Sequence, residues 1–315
     1  MPRATAGEVE LEYDTRGDGD PVLMIMGIGA QMILWPPELL DGLAARGLQV
    51  IRFDNRDVGR STWLDHLGRP DIGRLLPRAW LGLPVSAPYT LSHMAADAVG
   101  LLDHLGIARA HVVGVSMGGM IAQHVAIEHP ARVRSLTTMM STTGGRRVSL
   151  PRPRALRALL TAPARTVDEA EEAMVRFMRE VNGPAFDIAE DRIRAVARES
   201  WLRGVNPDGF VRQFAAILAS GDRTARLRQL DVPTLVLHGT ADPLVPVRGG
   251  KATARAIRGA RLRLIDGWGH GLPPGVVPLL VDEIGAHIDR HRGGPRRPGG
   301  HPTVRSPPGL HSSGG

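Results

Sequence analysis

No cysteine occurs among the 315 residues. That excludes disulfides, thiolate metal sites and a cysteine nucleophile. Lysine is nearly missing as well: Lys251 stands alone among 39 cationic side chains, the rest being arginine. No apolar run reaches the roughly 20 residues that a bilayer-spanning helix needs. The longest, from Pro21 to Trp35, is broken by Gly27, Gly29 and Gln31. The stretch from Met1 to Asp14 has no apolar segment of the kind a secretory signal carries. These absences predict a cytoplasmic protein with no membrane partner. Acidic residues are missing after Asp289, where Arg290, Arg292, Arg296, Arg297 and Arg305 supply five of the seven excess positive charges. The net charge of +7 therefore belongs mainly to one end of the chain. No aromatic residue interleaves with those arginines, so no nucleic-acid partner is expected.

What remains is 43% hydrophobic and 23% charged, ordinary for a globular chain long enough to bury a sizeable core. Short apolar runs predict strands at Val9–Tyr13, Val22–Met26, Val50–Phe53, Ala110–Val115, Ser135–Met140, Thr234–His238 and Arg261–Ile265. Helical stripes lie between most of them, for example Met94, Ala98, Leu101, Leu102 and Leu105. That alternation predicts an α/β protein with a mainly parallel central sheet flanked by helices. Gly17–Asp20 reads as a hairpin turn between the first two strands. From about Arg146 to Arg228 the pattern is helical only. Thr166 and Glu169 form a capping box there, and Ala170, Met174, Phe177 and Met178 the stripe behind it. The predicted organisation is a discontinuous core, 1–145 and 229–291, a helical cap over 146–228 inserted before the strand Thr234–His238, and an unstructured tail over 292–315. The stretch Trp63–Tyr89 holds four prolines and yields no predicted shape.

One motif carries chemistry. Gly114-Val115-Ser116-Met117-Gly118 lies between a predicted strand and a predicted helix. A serine on such a turn is held strained, with its hydroxyl at the carboxyl end of the sheet. The hydroxyl needs a base. Of 12 histidines, His270 lies in a glycine-rich loop after the last predicted strand, at the same end of the sheet. His287 and His291 are spaced four apart on the last helix but lack a suitably spaced acidic third ligand, so no metal is expected. Asp242 follows the strand Thr234–His238 and completes the chain order Ser, Asp, His. The loop after the preceding strand holds Ser141, Thr142 and Thr143 and offers no acid; Asp231 precedes its strand and sits at the wrong end. Asp242 can also be read as a capping residue for the helix after Pro246.

The oxyanion donors are expected from the backbone N–H of Met117 and of Ile28, the latter between Gly27 and Gly29. Met32, Trp35, Trp268 and Leu272 flank these loops and predict an apolar substrate pocket. The polar run Asp54-Asn55-Arg56-Asp57-Val58-Gly59-Arg60-Ser61 could be a substrate clamp but reads better as scaffolding that bridges loop backbones.

These segments together resemble the α/β-hydrolase superfamily from about Val9 to His291. Trp35-Pro36 and Arg56-Asp57-Val58-Gly59-Arg60-Ser61 resemble aclacinomycin methylesterase-like bacterial hydrolases, which share Met26 where a histidine commonly opens the oxyanion loop. The resemblance implies Ser116 as nucleophile, Asp242 as acid, His270 as base and Ile28 and Met117 as oxyanion donors. It implies no cofactor and a small-molecule ester as substrate. The same triad also serves C–C bond, thioester and lactone hydrolysis and perhydrolysis, and a ligand-binding protein with little turnover is a further alternative. Oligomeric state and the natural ester are not legible.

Overall fold

The computed structural model describes residues 1–292; most of the expected tail lies outside them. Eight strands form one sheet: β1 Arg3–Ala6, β2 Val9–Arg16, β3 Asp20–Ile25, β4 Leu48–Phe53, β5 Ala110–Val115, β6 Val133–Met139, β7 Thr234–Gly239 and β8 Arg261–Ile265. Their order is β1-β2-β4-β3-β5-β6-β7-β8. The pairs β1–β2 and β2–β4 are antiparallel and the other five are parallel. β5 lies near the centre and is buried throughout. A parallel strand covered by helices on both faces needs an unbroken apolar run, and Ala110–Val115 supplies one interrupted only by His111 and Gly114.

At the amino end the structure adds one strand and corrects one expectation. β1 carries too few large apolar residues to be read as a strand, and it closes against β2 around Gly7. The turn at Gly17–Asp20 does not join neighbours, because β4 lies between β2 and β3. The backbone at Gly17 and Gly19 instead packs against Gly47 and Leu48, where side chains would collide.

Between β6 and β7 come six helices and no strand: Arg146–Ser149, Pro153–Leu159, Val167–Val181, Glu190–Arg203, Pro207–Ser220 and Thr224–Leu227. Thr166 caps the third by accepting from the Glu169 N–H, and Asn206 caps the fifth at Gly209. The stretch Trp63–Tyr89 contains a 3-10 turn, Asp65–Leu67, and a helix, Ile72–Leu81, that packs on Pro207–Ser220.

Buried histidines make the fold acid-sensitive. Burial holds His111 and His124 down at about 4 and His287 at about 3, so they stay neutral in the folded chain. The unfolded chain takes up protons on them from about pH 6.5 downward, before the folded chain does. Stability is therefore expected to be flat above about pH 7 and to fall from about pH 6.5 toward about pH 4, by about 3 kcal/mol for each histidine. Urea midpoints at about pH 7.5 and pH 5 check this, and His124→Gln should reduce the difference.

Candidate active site

β5 ends at Val115, and the helix Met117–Glu128 starts two residues later. The turn between them forces Ser116 to φ 55° and ψ −119°, a conformation a non-glycine residue adopts only when its surroundings hold it. The constraint is steric. A side chain at Gly114 would run into the Gly118 carbonyl, and one at Gly118 into Ile25 O of β3. Ser116 N–H donates to Met139 O (2.9 Å), and Ser141 Oγ donates to Ser116 O (2.8 Å). The expected neutral loop after β6 thus serves as a brace for the elbow.

His270 reaches the elbow from the loop after β8. Its Nε2 lies 3.0 Å from Ser116 Oγ and its Nδ1 2.7 Å from Asp242 Oδ2. The Asp242 carboxylate accepts from Nδ1–H, which leaves the Nε2 lone pair facing the serine hydroxyl. Asp242 fills both roles read for it. Oδ1 accepts from the Leu244 and Val245 N–H groups (2.9 and 2.8 Å), fixing the turn, while Oδ2 faces the imidazole. Its side chain is fully buried and that of His270 is 7% exposed, so the relay is shielded from water. His238 stands 3.7 Å from Asp242 Oδ2 and burial keeps it neutral, so it places no second positive charge on the acid. Asp231, by contrast, is exposed and pairs with Arg258.

Ile28 lies in the turn after β3, and Met117 directly follows Ser116. Met117 opens a helix, where the N–H has no intrahelical acceptor. Gly27 lies against Ser116: a Cβ there would be 3.4 Å from Ser116 Cβ. The turn after Ile28 is held from the helical insertion. Gly29 N–H donates to Gln213 Oε1 (2.8 Å), and Gln213 Nε2 donates to Arg56 O (2.8 Å). Gln213 is fully buried. The insertion also grips the histidine loop, with Gly269 N–H donating to Asn182 O (2.9 Å) and His270 N–H to Val181 O (2.6 Å).

The run 54–61 is scaffolding. Asp54 accepts from the Met32 and Arg60 N–H groups and pairs with Arg203, Asn55 Nδ2 donates to Met26 O, and Arg56 forks onto Asp97. Asp57 pairs with Arg212. None of these charges is left open toward a ligand.

The pocket expectation is corrected. Met32, Trp35 and Trp268 are completely buried, and only Leu272 is half-buried. Met32 is drawn inward by Asp54 and Arg52, which bond its N–H and its carbonyl. The Trp268 indole N–H donates to Gly271 O within its own loop, so the ring packs the core. Proximity in sequence to a catalytic loop did not distinguish a lining residue from a supporting one. Gln213, Arg203, Arg212 and Asn182 were not singled out at all. The one signal for Gln213 was its place between Gly209 and Ala216 on a small-residue face of the helix Pro207–Ser220.

A family model for the alpha/beta hydrolase fold matches residues 20–273. The chain is 30% identical over 312 residues to a rhodomycin D methylesterase of Streptomyces peucetius, covering 91% of this chain and 98% of that protein. It is 32% identical over 290 residues to a putative carbamate hydrolase of Azorhizobium caulinodans, covering 90% and 96%. Among solved structures, the enol-lactonase of Burkholderia xenovorans superposes with a TM-score of 0.67 at 21% identity, covering 91% of this chain and 100% of that one. The strained serine elbow at the end of a central parallel strand, the sheet order and these matches together establish that the chain belongs to the α/β-hydrolase fold family.

Proposed function

We propose that the protein is a serine carboxylesterase acting on a largely apolar, uncharged small-molecule ester, with methyl esters in its range. The observation that carries this reading is the continuous relay from Asp242 through His270 to Ser116, ending on a strained nucleophile. Ser116 Oγ attacks the ester carbonyl while His270 Nε2 takes its proton. The carbonyl oxygen becomes an oxyanion held by the Ile28 and Met117 N–H groups. His270 then returns the proton to the departing alkoxide, leaving the acyl group on Ser116. A water molecule, deprotonated by His270, attacks the acyl carbon, and the proton passes back to Ser116 as the acid leaves. No step requires a metal or organic cofactor. The helical insertion serves as the cap.

The substrate class follows from charge. Asp54, Arg56 and Asp57, the ions bordering the loops, each have a buried partner of opposite sign. A charged substrate would find no free counter-ion there. The methylesterase relatives support the ester reading. The test is labelling with a fluorophosphonate, locating the adduct by mass spectrometry. One adduct on Ser116, absent in Ser116→Ala and much slowed in His270→Ala, is expected. A folded protein that takes no label would overturn the reading.

Gln213 provides a second check. Gln213→Ala frees the Gly29 N–H and loosens the turn that carries Ile28. Turnover is expected to fall by about 10- to 100-fold, less than the loss of a whole oxyanion donor, with KM nearly unchanged. Gln213→Glu keeps the acceptor for Gly29 and should retain more activity than the alanine variant. A fall in kcat that is equal in both variants and matched by a loss of active sites titrated with the fluorophosphonate would assign Gln213 to folding alone.

A further inference from the structure

The helix Ile72–Leu81 ends at Gly82, in the left-handed region at φ 75°. At this helix end and the turn after it, Trp80 is 72% exposed, Leu81 66% and Leu83 47%. Large apolar side chains so exposed and so close together are unusual on a globular surface. Arginine predominates around them, although the Asp222 carboxylate lies beside Gly145. No acidic residue occurs between Asp71 and Asp97, nor between Glu128 and Asp168. The two stretches meet here: Arg146 Nη1 donates to Trp80 O (3.1 Å), and its guanidinium rests beside Gly82. Arg78, Arg146 and Arg147 are exposed, and none pairs with a carboxylate among the described residues. Arg152, Arg154 and Arg157 continue the same acid-free segment, exposed and likewise without a carboxylate.

We propose that this corner is an interfacial anchor for an anionic lipid bilayer. Trp80, Leu81 and Leu83 enter the boundary between headgroups and acyl chains, and Arg78, Arg146 and Arg147 meet the lipid phosphates. No described helix is long and apolar enough to cross a membrane, but a protein can lie on one through a short apolar edge flanked by cations. Tryptophan suits that depth because its ring is apolar and its N–H can reach water. The apolar groups project from a helix end and lie beside a predominantly cationic surface. A laterally uniform anionic surface matches that arrangement. A folded acidic partner would be expected to meet charges of both signs.

The test is flotation of the full chain with vesicles, phosphatidylcholine alone against phosphatidylcholine with about one third phosphatidylglycerol. Binding is expected to the anionic vesicles, weak on the neutral ones, and falling steeply between about 0.05 M and 0.5 M salt. Trp80→Ser with Leu81→Ser, and separately Arg146→Glu with Arg147→Glu, should each weaken it by about tenfold or more. Thermal midpoints should hardly move, since these side chains are exposed. Vesicle binding unchanged in both double variants would overturn the proposal and shift the interaction to the C-terminal arginines. Retention on heparin without vesicle binding would overturn it in favour of an acidic macromolecule. A concentration-dependent dimer in sedimentation, lost in Trp80→Ser with Leu81→Ser, would overturn it in favour of self-association.

Discussion

Ser116→Ala is expected to lower turnover of a neutral aryl or methyl ester by about 10⁴- to 10⁶-fold, and adding His270→Ala should cost almost nothing more. In the proposed mechanism the two groups act on one proton. Once Oγ is gone, the Nε2 that stood 3.0 Å from it has nothing to deprotonate. Both variants should keep the wild-type melting point within a degree or two, because Ser116 braces the elbow through backbone atoms that alanine retains. Asp242→Asn separates the two functions of that carboxylate. The amide oxygen can still accept from Leu244 and Val245, so the turn survives. The amide nitrogen then faces His270 Nδ1 and favours the tautomer that carries its proton on Nε2. A fall of about 10⁴-fold in kcat at unchanged stability is expected. Losses that multiply across Ser116→Ala and His270→Ala would mean the two residues do not share a step.

How much of this was readable beforehand depended on the range of the interactions. β5 and β8 were predicted to the residue, because each is announced by a local apolar pattern. The elbow was legible because its glycines are required by contacts made within a few residues and with β3. His270 and Asp242 were placed through strand order, which puts both at the carboxyl end of a parallel sheet. The opposite held for β1, for the misread turn at Gly17–Asp20 and for the three buried pocket candidates. β1 is short of apolar residues, whereas the turn and Met32 are decided by partners farther along the chain: β4 inserting beside β2, and Asp54 drawing Met32 inward. Gln213 reaches Gly29 across 184 positions of the chain, and no local pattern reports such a bond.

Arg212→Met should be the most damaging substitution away from the relay, costing about 3–5 kcal/mol in folding free energy. The guanidinium is 1% exposed and forks onto Asp57, with Nε 2.8 Å from Oδ2 and Nη2 2.7 Å from Oδ1. Asp57 is fully buried and sits at φ 68°. Burial alone would push its carboxyl up. Arg212, the Leu64 N–H and the Tyr89 O–H together outweigh that and hold it below the usual range. In wild type the folded chain therefore holds the proton less tightly than the unfolded chain. This contribution is complete above about pH 4 and is lost as pH falls further. Without Arg212 the balance reverses and the buried carboxyl prefers its proton. The variant then gains stability relative to wild type as pH drops through the carboxylate range, so the deficit measured at about pH 7 should narrow at about pH 4.5. Asp57→Asn added to Arg212→Met removes the orphaned charge, and asparagine tolerates positive φ. The double variant should therefore be more stable than Arg212→Met alone. It should still turn over ester slowly, because Gln213 stands next to Arg212 on the same helix and loses its register on Gly29 and Arg56. A double variant as unstable as the sum of its two single variants would show that the pair carries no coupling, and the deficit of Arg212→Met would then come from lost packing alone.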